Sequence, residues 1–329
     1  MVRATLTEVP RSVKRGLTLD STGCYGPRMF GRKVVLVAAA CLVFLAGSPQ
    51  PNFASDPLNV VVTVPVLKDF AEQVGGSHVR AISLLSGSEN EHTYSPRPSD
   101  LVAVRKARVF IEVGMGLEVW VAALVKNAGN SRLLVVTTSK NIARIADRAL
   151  ELETNGHAAG NPHIWLDPEN ARLMVGQIAE AFAEADPVRA GDYRANRDRY
   201  VQQINALEAE LAEQMRPVTD RRVVVHHPAW PYFAKRFGLD IAGEIITQPG
   251  AESSARHMQA LVKKIREGHI RVIVSEPQLN QKLPQMLARE TGARLIVLTA
   301  MPGGLPGTGT YLDMLRYNVV QLVQALRAS

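Results

Sequence analysis

Short β-branched apolar runs alternate with helix-like segments along most of this chain, and that alternation constrains the fold more than any other feature. Strand–helix–strand repeats pack as parallel sheets with the helices laid on their faces. The first group of predicted strands covers 58–67, 79–85, 109–113 and 133–136, with helical pattern over 67–74, 100–107 and 118–128. The second group covers 222–226, 239–244, 272–275 and 295–298, with helices over 228–237, 254–267 and 282–291 and a closing helix over 311–328. Gly238, Gly268 and Gly292 stand where three of these helices should stop, a position that favours glycine. Between the two groups a helix is expected over 168–184, opening on Pro168, and then a long one over 187–216. Tyr193, Tyr200, Ile204, Leu207 and Leu211 keep an apolar stripe on that helix while its other faces are charged. At 1.5 Å per residue it would run about 45 Å, enough to lie along two lobes. The predicted class is α/β: two lobes with parallel sheets flanked by helices, joined by one long linking helix. The expected division is a lobe over 55–186, the linking helix over 187–216 and a lobe over 217–329.

The formal charge of +7 invites a nucleic-acid reading, but the charge is unevenly placed. Residues 1–55 hold seven basic and two acidic residues, which leaves 31 basic against 29 acidic for the rest. With no basic stripe interleaved with aromatics, a nucleic-acid partner is not expected. Cys24 and Cys41 also fall in the first 55 residues. The remainder is thiol-free, which excludes a disulfide scaffold, a thiolate zinc site and a cysteine nucleophile there. Residues 34–47 form an unbroken apolar run after Arg32 and Lys33, shorter than the roughly 20 residues of a membrane span. A basic stretch, a short apolar run and a polar, Pro-containing stretch make a secretory signal peptide, read here over 29–54 with cleavage after Ala54. Residues 1–28 lie upstream of a better start at Met29 and are read as no part of that signal. Ala38-Ala39-Ala40-Cys41 partly resembles a lipoprotein box, so a lipid-anchored form is the alternative, although Leu42-Val43-Phe44-Leu45 continue the apolar run past it.

Three histidines stand out by their neighbours. His92 lies in a loop after a predicted strand, His163 in a loop before a helix, and His227 at a strand end before a helix. Such loops sit at sheet edges, where α/β folds place their sites on a rigid scaffold. His226 competes with His227, because adjacent strand residues point to opposite faces and one of the two enters any shared site. The residues alone do not choose between them. His78, His257 and His269 have weaker surroundings, His78 and His269 being read as solvated, and His157 sits in the Gly/Asn/Ala loop at 155–162. Asp167 reads either as an acceptor orienting His163 or as the N-cap of the helix at Pro168.

Dispersed motifs, in order, resemble the metal-binding solute receptors of ABC importers, the zinc/manganese (cluster A-I) family. They are Glu91-His92-x-Tyr94-Ser95-x-Arg97-Pro98-Ser99-Asp100 and Gly114-x-Gly116-Leu117-Glu118, then Asn161-Pro162-His163-Ile164-Trp165-Leu166-Asp167-Pro168. His227-Pro228-Ala229-Trp230-x-Tyr232-Phe233 and Ser275-Glu276-Pro277-Gln278 follow, with Tyr311-Leu312-x-Met314 and Asn318 near the end. The resemblance implies a periplasmic two-lobe receptor with a rigid linking helix, acting as a monomer. One divalent ion would lie between the lobes, held by His92 and His163 from the first and His227 from the second, and would be delivered to an inner-membrane permease and its ATPase. An imidazole at His227, where manganese-type members often carry a carboxylate, leans toward Zn²⁺ over Mn²⁺.

Two departures bear on that site. Thr299 falls where many relatives place an Asp ligand, so the expected fourth ligand is Glu91 or a water, with Glu276 and Asp313 read as structural residues or as partners that support a ligand from behind. The loop before His163 lacks the long His- and acid-rich tract of many zinc-type members, so no buffering role is expected for it. The alternatives to a zinc receptor are a manganese or iron receptor of the same type and, from a different class, a zinc hydrolase in which Glu91 serves as base. The absence of an HExxH helix and of a His-x-His cluster speaks against the hydrolase.

Overall fold

A computed structural model describes Gly23 and residues 56–145, 160–247 and 253–327 of the chain. The expected leader, all but Gly23 of the segment before it, and His157 lie outside the described residues. Eight strands make two four-stranded sheets there, and every pairing is parallel. The first sheet contains β1 (Leu58–Val62), β2 (Val79–Ser83), β3 (Val109–Glu112) and β4 (Leu134–Thr137), in the order β2-β1-β3-β4. The second repeats that order as β6-β5-β7-β8, from β5 (Arg222–Val225), β6 (Asp240–Glu244), β7 (Val272–Ser275) and β8 (Arg294–Val297). Val60, Val61 and Val62 pair with Val109, Phe110 and Ile111, and all six are buried. Val223, Val224 and Val225 pair with Val272, Ile273 and Val274 in the same way. Strands covered on both faces bury every side chain, which is why these runs read as continuous apolar sequence.

Nine α-helices fill the sheet faces and the link among the described residues. In chain order they are α1 (Pro65–Gly75), α2 (Pro98–Lys106), α3 (Val121–Ala128), α4 (Pro168–Ala185), α5 (Ala190–Met215), α6 (Pro231–Phe237), α7 (Ala255–Glu267), α8 (Lys282–Thr291) and α9 (Tyr311–Arg327). Prolines moved three boundaries from those expected. Pro65, Pro98 and Pro231 each sit in the first turn of their helix, where the missing N–H costs nothing. The strand expected over 58–67 therefore stops at Val62, and the helix expected from 228 begins at Pro231. Residues 226–230 are left as an irregular turn that carries both histidines. The long helix is preceded by a 3₁₀ turn, Pro187–Arg189, and its 26 α-helical residues span about 39 Å.

That helix buries Tyr193, Tyr200, Ile204, Leu207, Leu211 and Met215, the expected stripe, and packs against α1, α4 and α9. Asp69 of α1 joins three elements there. Its carboxyl accepts from the Tyr200 hydroxyl at 2.9 Å and from the Tyr311 N–H, at the start of α9, at 3.0 Å. One apolar core runs through both sheets and these helices, and a smaller one lies under α7 and α8.

Candidate metal centre

Both sheets present their carboxyl ends to the same region. In each, the central strand runs beside a neighbour across the point where the strand order reverses, and α/β folds bind ligands outside that point. His227 follows β5 and Glu276 follows β7, so the two face each other across the reversal in the second sheet. The His227 Nδ1 contacts Glu276 Oε2 directly, and Glu276 Oε1 accepts from Trp230 Nε1 at 2.5 Å. Glu276 is completely buried. His226, the competitor, turns the other way and pairs with Ser275 Oγ at 2.8 Å.

Glu91 and His92 lie on the loop after β2. An Asn90 side chain accepts the His92 N–H at 2.9 Å and shapes the turn that carries both. His163 precedes a 3₁₀ turn, Ile164–Leu166, that leads into α4. Asn161 Oδ1 accepts from the His163 N–H and faces its Nδ1, both at 3.1 Å, while Asn161 Nδ2 donates to Pro228 O. Spending Nδ2 on a carbonyl fixes the amide's orientation, so Nδ1 of His163 carries the proton and its Nε2 presents a lone pair. The Glu276 carboxyl assigns the same tautomer to His227.

The four side chains converge. One donor atom from each of Glu91, His92, His163 and His227 lies within 4.8 Å of all the others. His163 Nε2 is 3.3 Å from His92 Nε2, 3.4 Å from His227 Nε2 and 3.4 Å from Glu91 Oε1. Zinc binds imidazole at about 2.0–2.1 Å, and a tetrahedron of that radius has edges of about 3.3–3.4 Å. The three separations around His163 match that edge. Glu91 Oε1 is buried without a hydrogen-bond partner, an arrangement that costs free energy until a cation arrives. The donor set therefore fits a divalent metal.

Electrostatics favour the neutral form, which metal binding needs, at His92 and His163. Burial first, then the neighbouring imidazoles, push His92 down to about 3. Burial and the nearby His227 hold His163 well below the usual histidine range. Burial would depress His227 as well, but the Glu276 carboxyl outweighs it and raises that group above its ordinary value.

The remaining sequence candidates fall outside the cluster. Thr299 is buried, and its hydroxyl closes its own turn, donating to Met301 O at 2.8 Å and accepting from Met301 N–H at 3.1 Å. A side chain at Gly304 would place a Cβ 2.2 Å from Thr299 Oγ1, so the turn needs glycine there. Asp167 does not reach His163; it caps α4 through the Glu169 N–H at 3.0 Å and pairs with Arg236 at 2.6 Å. Asp313 pairs with Thr310 in the first turn of α9. His78, read as solvated, lies 3.4 Å from Asp192, and His257 Nε2 meets Glu244 O at 2.8 Å. Sequence reasoning missed the role of Asn161. Its signal was an Asn two residues before a histidine, a spacing at which one oxygen can meet both the backbone N–H and Nδ1.

Fold and donor set together define the class: a two-lobe α/β protein with a cluster of side chains able to hold a metal at the carboxyl ends of its two parallel sheets. The family described as "ZnuA: Zinc-uptake complex component A periplasmic" matches residues 60–325, and the chain belongs to it. This is a family of metal-uptake receptors, not of enzymes, which removes the hydrolase alternative. The chain is 27% identical over 310 residues to the high-affinity zinc uptake system protein ZnuA of Brucella abortus (strain 2308), covering 83% of this chain and 93% of that one. It is 29% identical over 300 residues to the manganese-binding lipoprotein MntA of Halalkalibacterium halodurans, covering 89% and 95%. A crystal structure of ZnuA superposes with a TM-score of 0.74 at 26% identity, over 82% of this chain and all of the other.

Proposed function

We propose that the protein captures a divalent transition metal, Zn²⁺ first, in the periplasm and delivers it to an inner-membrane ABC permease and its ATPase. Glu91, His92, His163 and His227 are the ligands. The observation that carries this reading is that His163 Nε2 lies at tetrahedral edge distances from His92 Nε2, His227 Nε2 and a buried Glu91 oxygen that makes no hydrogen bond. In this reading residues 29–54 export the chain, 55–186 and 217–329 are the lobes, 187–216 links them, and the receptor works as a monomer. The similarity to a manganese-binding lipoprotein supports a second reading, in which Mn²⁺ is the cargo. Three nitrogen donors and one oxygen suit zinc better than the oxygen-rich sites that manganese prefers.

Calorimetric titration of the metal-stripped protein with Zn²⁺ and Mn²⁺ tests the reading. Tight one-to-one zinc binding is expected, with a strong loss in His227→Ala and a smaller loss in Glu91→Ala. His227→Ala binding as the wild type does would show the site to be misplaced. An unchanged Glu91→Ala would give the fourth position to water.

A further inference from the structure

Ligands drawn from segments far apart in sequence need something to set their spacing before a metal arrives. We propose that Asn161 is a cross-lobe positioning residue, one side chain that fixes the His163 imidazole and ties it to the segment carrying His227. The inference rests on the metal-receptor reading above.

Asn161 is 1% exposed and uses both ends of its amide. Its oxygen receives the backbone N–H and the Nδ1–H of His163, each at 3.1 Å. Its nitrogen donates at 2.5 Å to the carbonyl of Pro228, the residue after His227. The backbone of Asn161 is pinned from the same direction. Its N–H donates to Ile145 O at 2.8 Å, the Ile145 N–H donates to the Tyr232 hydroxyl at 3.1 Å, and that hydroxyl donates to Ala143 O at 3.1 Å. Tyr232 belongs to α6, five residues past His227. The His163 loop is therefore bolted to the His227 segment by a side chain at one point and a backbone relay at another.

The chemistry of the position is narrow. The side chain must accept twice at one end and donate to a carbonyl at the other, within one short reach. Aspartate keeps the accepting end and loses the donor, and alanine loses both. Holding the two Nε2 atoms 3.4 Å apart without a metal removes an ordering cost from binding. It also keeps the pair at a spacing that fits the zinc radius, so Asn161 sets selectivity as well as affinity.

The test uses the metal-stripped protein, Asn161→Ala and Asn161→Asp, with Zn²⁺, Mn²⁺ and Co²⁺ as probes. Asn161→Ala should lower zinc affinity by about 10–100-fold, the usual cost of losing a partner that orients a ligand. Its zinc-over-manganese ratio should narrow, and the visible bands of bound Co²⁺, which report tetrahedral geometry, should weaken. Asn161→Asp keeps the contacts to His163 and should still bind more weakly than wild type, with altered Co²⁺ bands. It is nearly isosteric, so it carries the test if the alanine variant does not fold. A wild-type spectrum and affinity in Asn161→Ala would overturn the proposal, and wild-type behaviour in Asn161→Asp would overturn the cross-lobe part. If the wild type itself fails to bind metal, the receptor reading falls and this inference with it.

Discussion

The two sheets bury a carboxyl group at the same topological point and use it differently. In the first sheet Glu118 follows β3 and accepts from Thr63 Oγ1, just past β1, at 2.7 Å, and from the Val113 and Gly114 N–H groups at 2.8 and 2.9 Å. In the second, Glu276 follows β7 and meets His227, just past β5, with Trp230 on its other oxygen. Glu118 closes on its own lobe and locks a loop. Glu276 sits behind an imidazole that opens onto the donor cluster. The same strand order thus supplies a structural pin in one lobe and a support for a clustered imidazole in the other, and the partners make the difference: a threonine and two backbone N–H groups against a histidine and a tryptophan.

Substitutions at the two positions should separate those roles. Glu276→Gln has the larger expected effect on binding. An amide cannot accept from His227 and Trp230 at both ends, so the imidazole loses its orienting partner, and zinc affinity should fall by about 10–100-fold by calorimetry. An affinity within twofold of wild type would make Glu276 a packing residue like its counterpart.

Glu118→Gln should leave zinc affinity unchanged and reduce stability. The amide's NH₂ end would face an N–H or O–H donor, leaving a buried donor unmet at a cost of about 1–3 kcal/mol in denaturant unfolding. Glu118 also carries a pH signature. Burial raises it to about 7, against its hydrogen bonds, from an ordinary value of 4.5. The folded state holds that proton after the unfolded chain has released it, so this contribution to stability is present below about 4.5 and is lost as pH rises to about 7. The difference between wild type and Glu118→Gln should therefore shrink across that window. A gap that widens with pH would contradict the assignment.

Much of this was legible in the sequence for local reasons. β-branched runs and helix-stopping glycines act through neighbours a few residues away, and they placed every described strand but the first to within about two residues; the end of the first, set by Pro65, was expected five residues too late. The three clustered histidines were singled out through the motifs that surround them. Their supports were less legible, because Asn161 reaches Pro228 across 67 residues and His227 reaches Glu276 across 49. The choice between His226 and His227 has the same origin. Ser275 and Glu276 take one each, and adjacent residues on β7 and its exit, invisible to a reading of residues 226–227 alone, settle which ring faces the cluster. Thr299 is the converse case. Its position suggested a lost ligand, whereas its hydroxyl is occupied within its own turn.

The central claim is that Glu91, His92, His163 and His227 hold one metal together. X-ray absorption at the zinc edge of the loaded protein tests it most directly. The account predicts four nitrogen or oxygen neighbours at about 2.0–2.1 Å, with the outer-shell scattering of three imidazoles. A six-coordinate shell, or the signature of one imidazole, would contradict it.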